Sequence, residues 1–213
     1  MTFAQRKQER RAFMKHLLEQ DWDVFGTLKF VNGRTLGRNT ADKLLRSYWN
    51  RVDRVFFGHA ADRQNMRVPR WCFAHEGSDS ENFHIHFLLK SPVADTKHAC
   101  FALNAIWAQH HKQTGPMAKN WIMPVKDRWE VANYATREYW RMGADTQLLD
   151  ISWDRGCPDA MHAYEHEQQA LRINKAASPI WMQQAQEAYA DYWARYSSEG
   201  ITALAERGKA PSH

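Results

Sequence analysis

The spacing of apolar and polar positions changes period several times along the chain. Residues 3–20 place Phe13, Leu17 and Leu18 on one helical face, while Arg6, Lys7, Arg10 and Arg11 crowd the first half. Cations there oppose the helix dipole, so a bound phosphate would relieve them; the alternative is a solvated charged face. Asp23 to Val31 alternates as a strand, with Val24, Gly26, Leu28 and Phe30 on one face and Phe25, Thr27 and Lys29 on the other, and Asn32-Gly33 ends it as a turn. Thr40 reads as the N-cap of a helix over 41–56 carrying Leu44, Leu45, Tyr48, Trp49, Val52 and Val55 at helical spacing. After Pro69, Arg70 to Glu76 and Phe83 to Lys90 read as an antiparallel hairpin around the polar run 77–82. A helix over about 94–112, a short strand from Trp121 to Val125 and a helix over 128–142 follow.

This order of elements predicts an α+β fold, an antiparallel sheet with helices on one face in a ferredoxin-like sandwich, leaving the other face open. Beyond Gly143 a loop-rich stretch runs through Gly156-Cys157-Pro158, and helical patterns return over 160–175 and 180–197. The expected division is therefore a domain over 1–145 and a helical extension over 146–213 of unassigned role. The extension's Trp181, Tyr189, Tyr192 and Trp193 are expected to pack on the domain, with dimerisation or a grip on duplex DNA as the alternatives.

Composition narrows the partner. A formal net charge of +5, a pI near 9.2 and ten Trp in a chain of mean hydropathy −0.70 favour a polyanion, with aromatic rings available for a core or for base stacking. Cys72, Cys100 and Cys157 are odd in number and lack zinc-finger spacing, which argues against a disulfide framework and for a reducing, cytoplasmic setting. The N-terminal segment has no apolar stretch of the signal-peptide kind, and no window approaches the ~18 apolar residues of a membrane span. There is no glycine-rich phosphate loop, so nucleotide hydrolysis by that route is excluded.

Candidate chemistry centres on His84-Ile85-His86. A spacing of two puts both imidazoles on one face of a strand, about 7 Å apart along it. With 11 His in 213 residues such pairs arise readily by chance, so the neighbours carry the information. Phe83, Ile85, Phe87 and Leu89 form an apolar face, which turns both His to the other side. On the preceding strand Trp71, Phe73 and His75 alternate with Cys72, Ala74 and Glu76; if the bulky set packs inward, Glu76 stands beside the His pair and His75 is the competing ligand. Two imidazoles and a carboxylate with open positions suit Mn²⁺ or Mg²⁺, with Zn²⁺ possible, and no organic cofactor is expected.

The helix at 128–142 carries two tyrosines five positions apart, about 140° around the helix. Trp129, Ala132, Ala135, Thr136, Tyr139 and Trp140 fall on one side, and Glu130, Tyr134, Arg137, Glu138 and Arg141 on the other. Tyr134 is thus the expected exposed hydroxyl, and Tyr139 the core residue and alternative nucleophile. A phenol of pKa near 10 needs a polarised phosphate to attack.

These residues resemble the HUH endonucleases, and among them the rolling-circle replication initiators of small plasmids and single-stranded DNA viruses. Phe25-Gly26-Thr27-Leu28-Lys29-Phe30 resembles the first motif, His84-Ile85-His86 the second, and Tyr134-Ala135-Thr136-Arg137 the third, with Arg137 where Lys is usual. Glu76 stands where many initiators carry a third ligand. The resemblance implies an RRM-like HUH fold, a divalent cation on Glu76, His84 and His86, and attack by Tyr134 on a single-stranded or hairpin origin to give a 5′-phosphotyrosine. It implies backbone contacts from Lys29, Arg137 and Arg141, and a separate helicase with host replication machinery, because no helicase motif is present. A single-tyrosine transposase shares the motif order; a non-catalytic RNA- or DNA-binding sandwich is the rival of another class.

Overall fold

A computed structural model of the chain describes residues 2–76, 83–154 and 167–176. Its centre is a four-stranded sheet of β1 (Val24–Lys29), β2 (Arg70–His75), β3 (His84–Leu89) and β4 (Trp121–Pro124) in the order β2-β3-β1-β4, with every pairing antiparallel. The helices are α1 (Phe3–Leu18), α2 (Arg38–Phe57), the short α3 (His59–Arg63), α4 (Thr96–Ala108), α5 (Arg128–Ala135), α6 (Tyr139–Met142) and α7 (Glu167–Ala176). The expected α+β architecture with an antiparallel sheet is what the chain forms. The order of β1, α2, β2, β3, α4 and β4 in chain and sheet is the ferredoxin-like one.

One sheet face presents Val24, Leu28, Cys72, Ala74, Ile85 and Phe87 to α2 and α4, the larger of two cores. At its centre Phe87 lies across Gly26, its partner on β1, and meets Trp49 of α2 edge-on at 5.2 Å between ring centroids. A Cβ on Gly26 would overlap the Phe87 ring, so only glycine fits there. Asp53 of α2 is fully buried and holds Arg70 of β2 in a two-pronged ion pair of 2.8 and 3.1 Å, while Arg70 Nε donates to the Ile151 carbonyl at 2.8 Å.

The open second face predicted from the sequence is corrected here: α1 and α5 cover it, and Leu17, Trp22, Phe25, Phe73, Leu88 and Val131 form a second core. Arg6 and Arg10 therefore neither wait for a phosphate nor line a solvated face. Arg10 donates to the carbonyls of Thr136 (3.0 Å) and Asn133 (2.9 Å), and Arg6 to those of Trp140 and Arg141 (3.0 and 2.7 Å). Charge opposed to α1's own dipole is taken up by the carbonyl ends of α5 and α6.

Two boundaries also differ from the sequence reading. α2 starts after Gly37, with Thr40 already in its first turn. The expected helix over 128–142 is two helices, because Thr136 turns its hydroxyl back to the Ala132 carbonyl at 2.8 Å and Arg10 occupies the carbonyls where the ladder would continue. After α6, Gln147 and Trp153 bridge to Phe73 and Arg70 on the β2 edge, and α7 buries Ile173 and Ala176 against the larger core. The remainder of the helical patterns expected over 160–175 and 180–197, together with Trp181, Tyr189, Tyr192, Trp193, Cys157 and the loop 77–82, lies outside the described residues. Among the described residues, no helix is long and apolar enough to cross a membrane.

Candidate metal centre

The pleat of β3 sends Ile85, Phe87 and Leu89 to the larger core and His84 and His86 to the opposite face, as the alternation predicts. In register beside them on β2 are His75 opposite His84 and Phe73 opposite His86; on β1, Lys29 lies opposite His84 and Thr27 opposite His86. His75, His84 and His86 are each 1–2% exposed, and one ligand atom from each lies within 4.8 Å of the other two. Their rings approach to 4.2 Å (His75–His84), 4.8 Å (His84–His86) and 5.3 Å (His75–His86) between centroids.

Glu76 is not among them. It follows the last residue of β2, exposed, and pairs with Arg38 of α2 at 2.8 Å. The rule that sets the bulky side of a strand inward assumes a single core. Here Trp71 and Phe73 pack with α1 in the second core, so His75, their neighbour in the alternation, stands on the histidine face, and the small Cys72 and Ala74 point to the first.

The polar surroundings hold two of the rings in definite orientations. His86 Nδ1 lies 2.9 Å from Thr27 Oγ1, whereas His86 Nε2 is buried with no hydrogen-bond partner. An orphaned buried nitrogen costs about 1–3 kcal/mol unless something binds it. With the proton on Nδ1 and donated to Thr27, Nε2 presents a lone pair, the arrangement in which an outer hydrogen bond orients a ligating imidazole. Burial, reinforced by His84, His75, Arg137 and Lys29, pushes His86 well below the ordinary imidazole value, so the ring is neutral, as a ligand must be. At His75, Arg137 Nη2 lies 2.7 Å from Nε2 and Glu138 Oε1 lies 3.1 Å from Nδ1. Guanidinium can only donate, so Nε2 accepts from Nη2; Nδ1 faces both the Glu138 carboxylate and, at 3.4 Å, Arg137 Nε. The donor set therefore fits a divalent cation, with three buried imidazoles as ligands and Thr27 and Glu138 in contact with two of them.

Tyr134 belongs to this site. Asp127 caps α5 by accepting from the Glu130 amide at 3.0 Å, and two turns on the Tyr134 ring meets His86 at 5.0 Å and Phe25 at 5.9 Å between centroids. It is half-buried. The Arg137 guanidinium lies 4.6 Å above the same ring. Tyr139 is 4% exposed, stacks near Phe13, and burial raises its pKa, with Glu9 adding to the effect. Tyr139 is the core residue, as expected; Tyr134, expected exposed, is half-buried against the second core, and Trp129, placed with the core by helical phase, is 59% exposed. Lys29 is half-buried on the histidine side of β1. Arg141 pairs with Glu138 at 2.9 Å.

Sequence reasoning did not assign Thr27 and Glu138 to the site, although both carried a signal. Thr27 alternates with Phe25 and Lys29, and Glu138 shares the predicted face of Tyr134 and Arg137. No protein-family model, curated protein or solved structure matches this chain.

Proposed function

We propose that this protein is a metal-dependent tyrosine endonuclease acting on single-stranded DNA, with His75, His84 and His86 holding the cation and Tyr134 as nucleophile. The observation that carries the reading is the meeting of three buried imidazoles with a half-buried tyrosine ring 5.0 Å from His86. The cation, when bound, supplies Lewis-acid polarisation of the scissile phosphate. Three imidazoles without a carboxylate favour Zn²⁺ or Mn²⁺ over Mg²⁺, which prefers oxygen ligands.

Tyr134 Oη attacks phosphorus; the Oη–P bond forms, the P–O3′ bond breaks, and the phenolic proton leaves to end on the 3′ oxygen. The products are a 5′-phosphotyrosyl strand and a free 3′-OH, and the reverse reaction rejoins ends. Thr27 keeps the His86 lone pair available, and Glu138 does the same for His75. Ligation through His75 Nε2 requires Arg137 to give up its 2.7 Å hydrogen bond, which frees a guanidinium beside Tyr134 for a phosphate oxygen. Because Arg stays protonated, it acts by charge and not by proton transfer. The resemblance to replication initiators, with a single-stranded or hairpin origin as substrate and a separate helicase as partner, belongs to the same proposal. A single-tyrosine transposase would use the same chemistry.

The test is to incubate the full chain with a pool of single-stranded oligonucleotides and Mn²⁺, Zn²⁺ or Mg²⁺, and to look by mass spectrometry for a covalent adduct. The expected adduct maps to Tyr134, persists in Tyr139→Phe and is lost in Tyr134→Phe. No adduct with any metal would remove the endonuclease reading and leave a non-catalytic nucleic-acid-binding sandwich.

A further inference from the structure

On the far side of the molecule from the three histidines, α2 and α7 border an open groove of about 910 Å³. Six cations line it: Lys43, Arg46, Arg51 and Arg54 from α2, and Arg172 and Lys175 from α7. Among the described residues no acidic side chain is in the lining. At the rim Arg46 pairs with Asp150 and Arg54 with Asp62. Arg172 donates to the carbonyls of Val55 and Phe56, which ties α7 to the end of α2, and it has no ion pair among the described residues. Among the described residues Lys43, Arg51 and Lys175 have no carboxylate within ion-pair distance.

We infer that this groove binds the sugar–phosphate backbone of duplex nucleic acid. The α2 cations recur at intervals of three to five residues, a row of roughly 16 Å at 1.5 Å per residue, which suits a chain of phosphates better than one phosphate. Ser47 and Asn50, also in the lining, are neutral donors of the kind that contact phosphate oxygens. Among the described residues the lining holds no Phe, Tyr or Trp and one imidazole, His110, so cations far outnumber rings on which unpaired bases stack; that favours a duplex over a single strand and predicts binding indifferent to sequence. An anionic bilayer would attract the same charge, but the aliphatic side chains of the described lining are Val55 and Ala176, little to insert into a membrane. The groove belongs to the α2–α4 layer and the histidines to the α1–α5 face, so a duplex held here leaves the metal centre free. The inference rests on the charge and shape of this groove and not on the endonuclease reading.

Fluorescence anisotropy of the full chain with a labelled 24-base-pair duplex of arbitrary sequence, between 50 and 200 mM KCl, tests it. Wild-type affinity should fall linearly in log–log form with salt. The variant Lys43→Ala/Arg51→Ala/Lys175→Ala should bind about 10-fold or more weakly at 50 mM, with a salt slope smaller by roughly 2 to 3, at about one per phosphate contact. Lys43→Arg/Arg51→Lys/Lys175→Arg should bind within about two-fold of wild type, as phosphate contacts that carry no base information are set mainly by charge. If the triple alanine variant melts early, Lys43→Ala and Lys175→Ala singly should each lower the slope by about one. Unchanged affinity and slope in the alanine variants would overturn the inference, as would capture by phosphatidylglycerol vesicles without duplex binding. Duplex binding that survives in Tyr134→Phe, which forms no adduct, separates this surface from the nuclease site.

Discussion

Thr27 and Arg137 act on the three histidines in opposite senses, and each sense can be measured. Thr27→Val keeps the shape of the side chain but removes the 2.9 Å partner of His86 Nδ1. Metal affinity should then fall about 10- to 100-fold, the usual cost of losing an outer hydrogen bond to a ligating imidazole. Titration calorimetry with Zn²⁺ reads this, and unchanged affinity would show that His86 needs no such support. Arg137 holds the His75 lone pair that a cation would take. Arg137→Gln should therefore bind metal several-fold more tightly while forming less adduct, because the same guanidinium is proposed to hold the phosphate. Weaker metal binding in that variant would make Arg137 a support of the site and not a competitor.

Elements differ in how much of their placement the sequence could disclose. β3 was legible because its two faces contrast sharply, apolar at Phe83, Ile85 and Phe87 against His at 84 and 86. β2 was not, since both of its faces are buried: Cys72 and Ala74 are small because Trp49 and Phe87 fill the space opposite, and Trp71 and Phe73 are large because α1 leaves room. That exchange puts His75, and not Glu76, beside His84 and His86 as the third candidate ligand. The break between α5 and α6 depends on Arg10, 126 positions away from Thr136, and no local pattern contains it. Tyr139 nonetheless lies in the core and Tyr134 is the more accessible of the two, though half-buried, because the contrast between Ala132, Ala135 and Thr136 on one side and Tyr134, Arg137 and Glu138 on the other survives the break. The sequence reading took from α2 only its apolar face and not the basic row, and the groove also needs α7, more than a hundred residues later. Two substitutions test the packing that aligns these elements. Gly26→Ala should cost about 1–3 kcal/mol by driving Phe87 from Trp49. Asp53→Ala, which strands a buried guanidinium, should cost about 3–5 kcal/mol. Denaturant melts check both, and losses below 0.5 kcal/mol would contradict these roles.

For the whole molecule, two cores on one sheet mean that the histidine cluster is an enclosed polar site inside an apolar layer, and enclosure makes the metal-free protein sensitive to acid. His86 has its pKa pushed well below 6.5 by burial and then by its cationic and imidazole neighbours, and burial, with Arg51 and His111, lowers that of His110. The unfolded chain therefore binds protons on these rings before the folded chain does. Stability from this source is complete above about pH 6.5 and declines as pH falls toward the folded values. Thermal melts of the metal-free protein between pH 7.5 and 5 should show a falling midpoint, with a smaller fall in His86→Phe; identical slopes would contradict the assignment.

The central claim, that His75, His84 and His86 form one cation site, is tested most directly by calorimetric titration of the full chain with Zn²⁺, comparing His75→Ala with Glu76→Ala. The account predicts one ion bound per chain, loss of that binding in His75→Ala and wild-type affinity in Glu76→Ala. Intact binding in His75→Ala, with loss in Glu76→Ala, would contradict it.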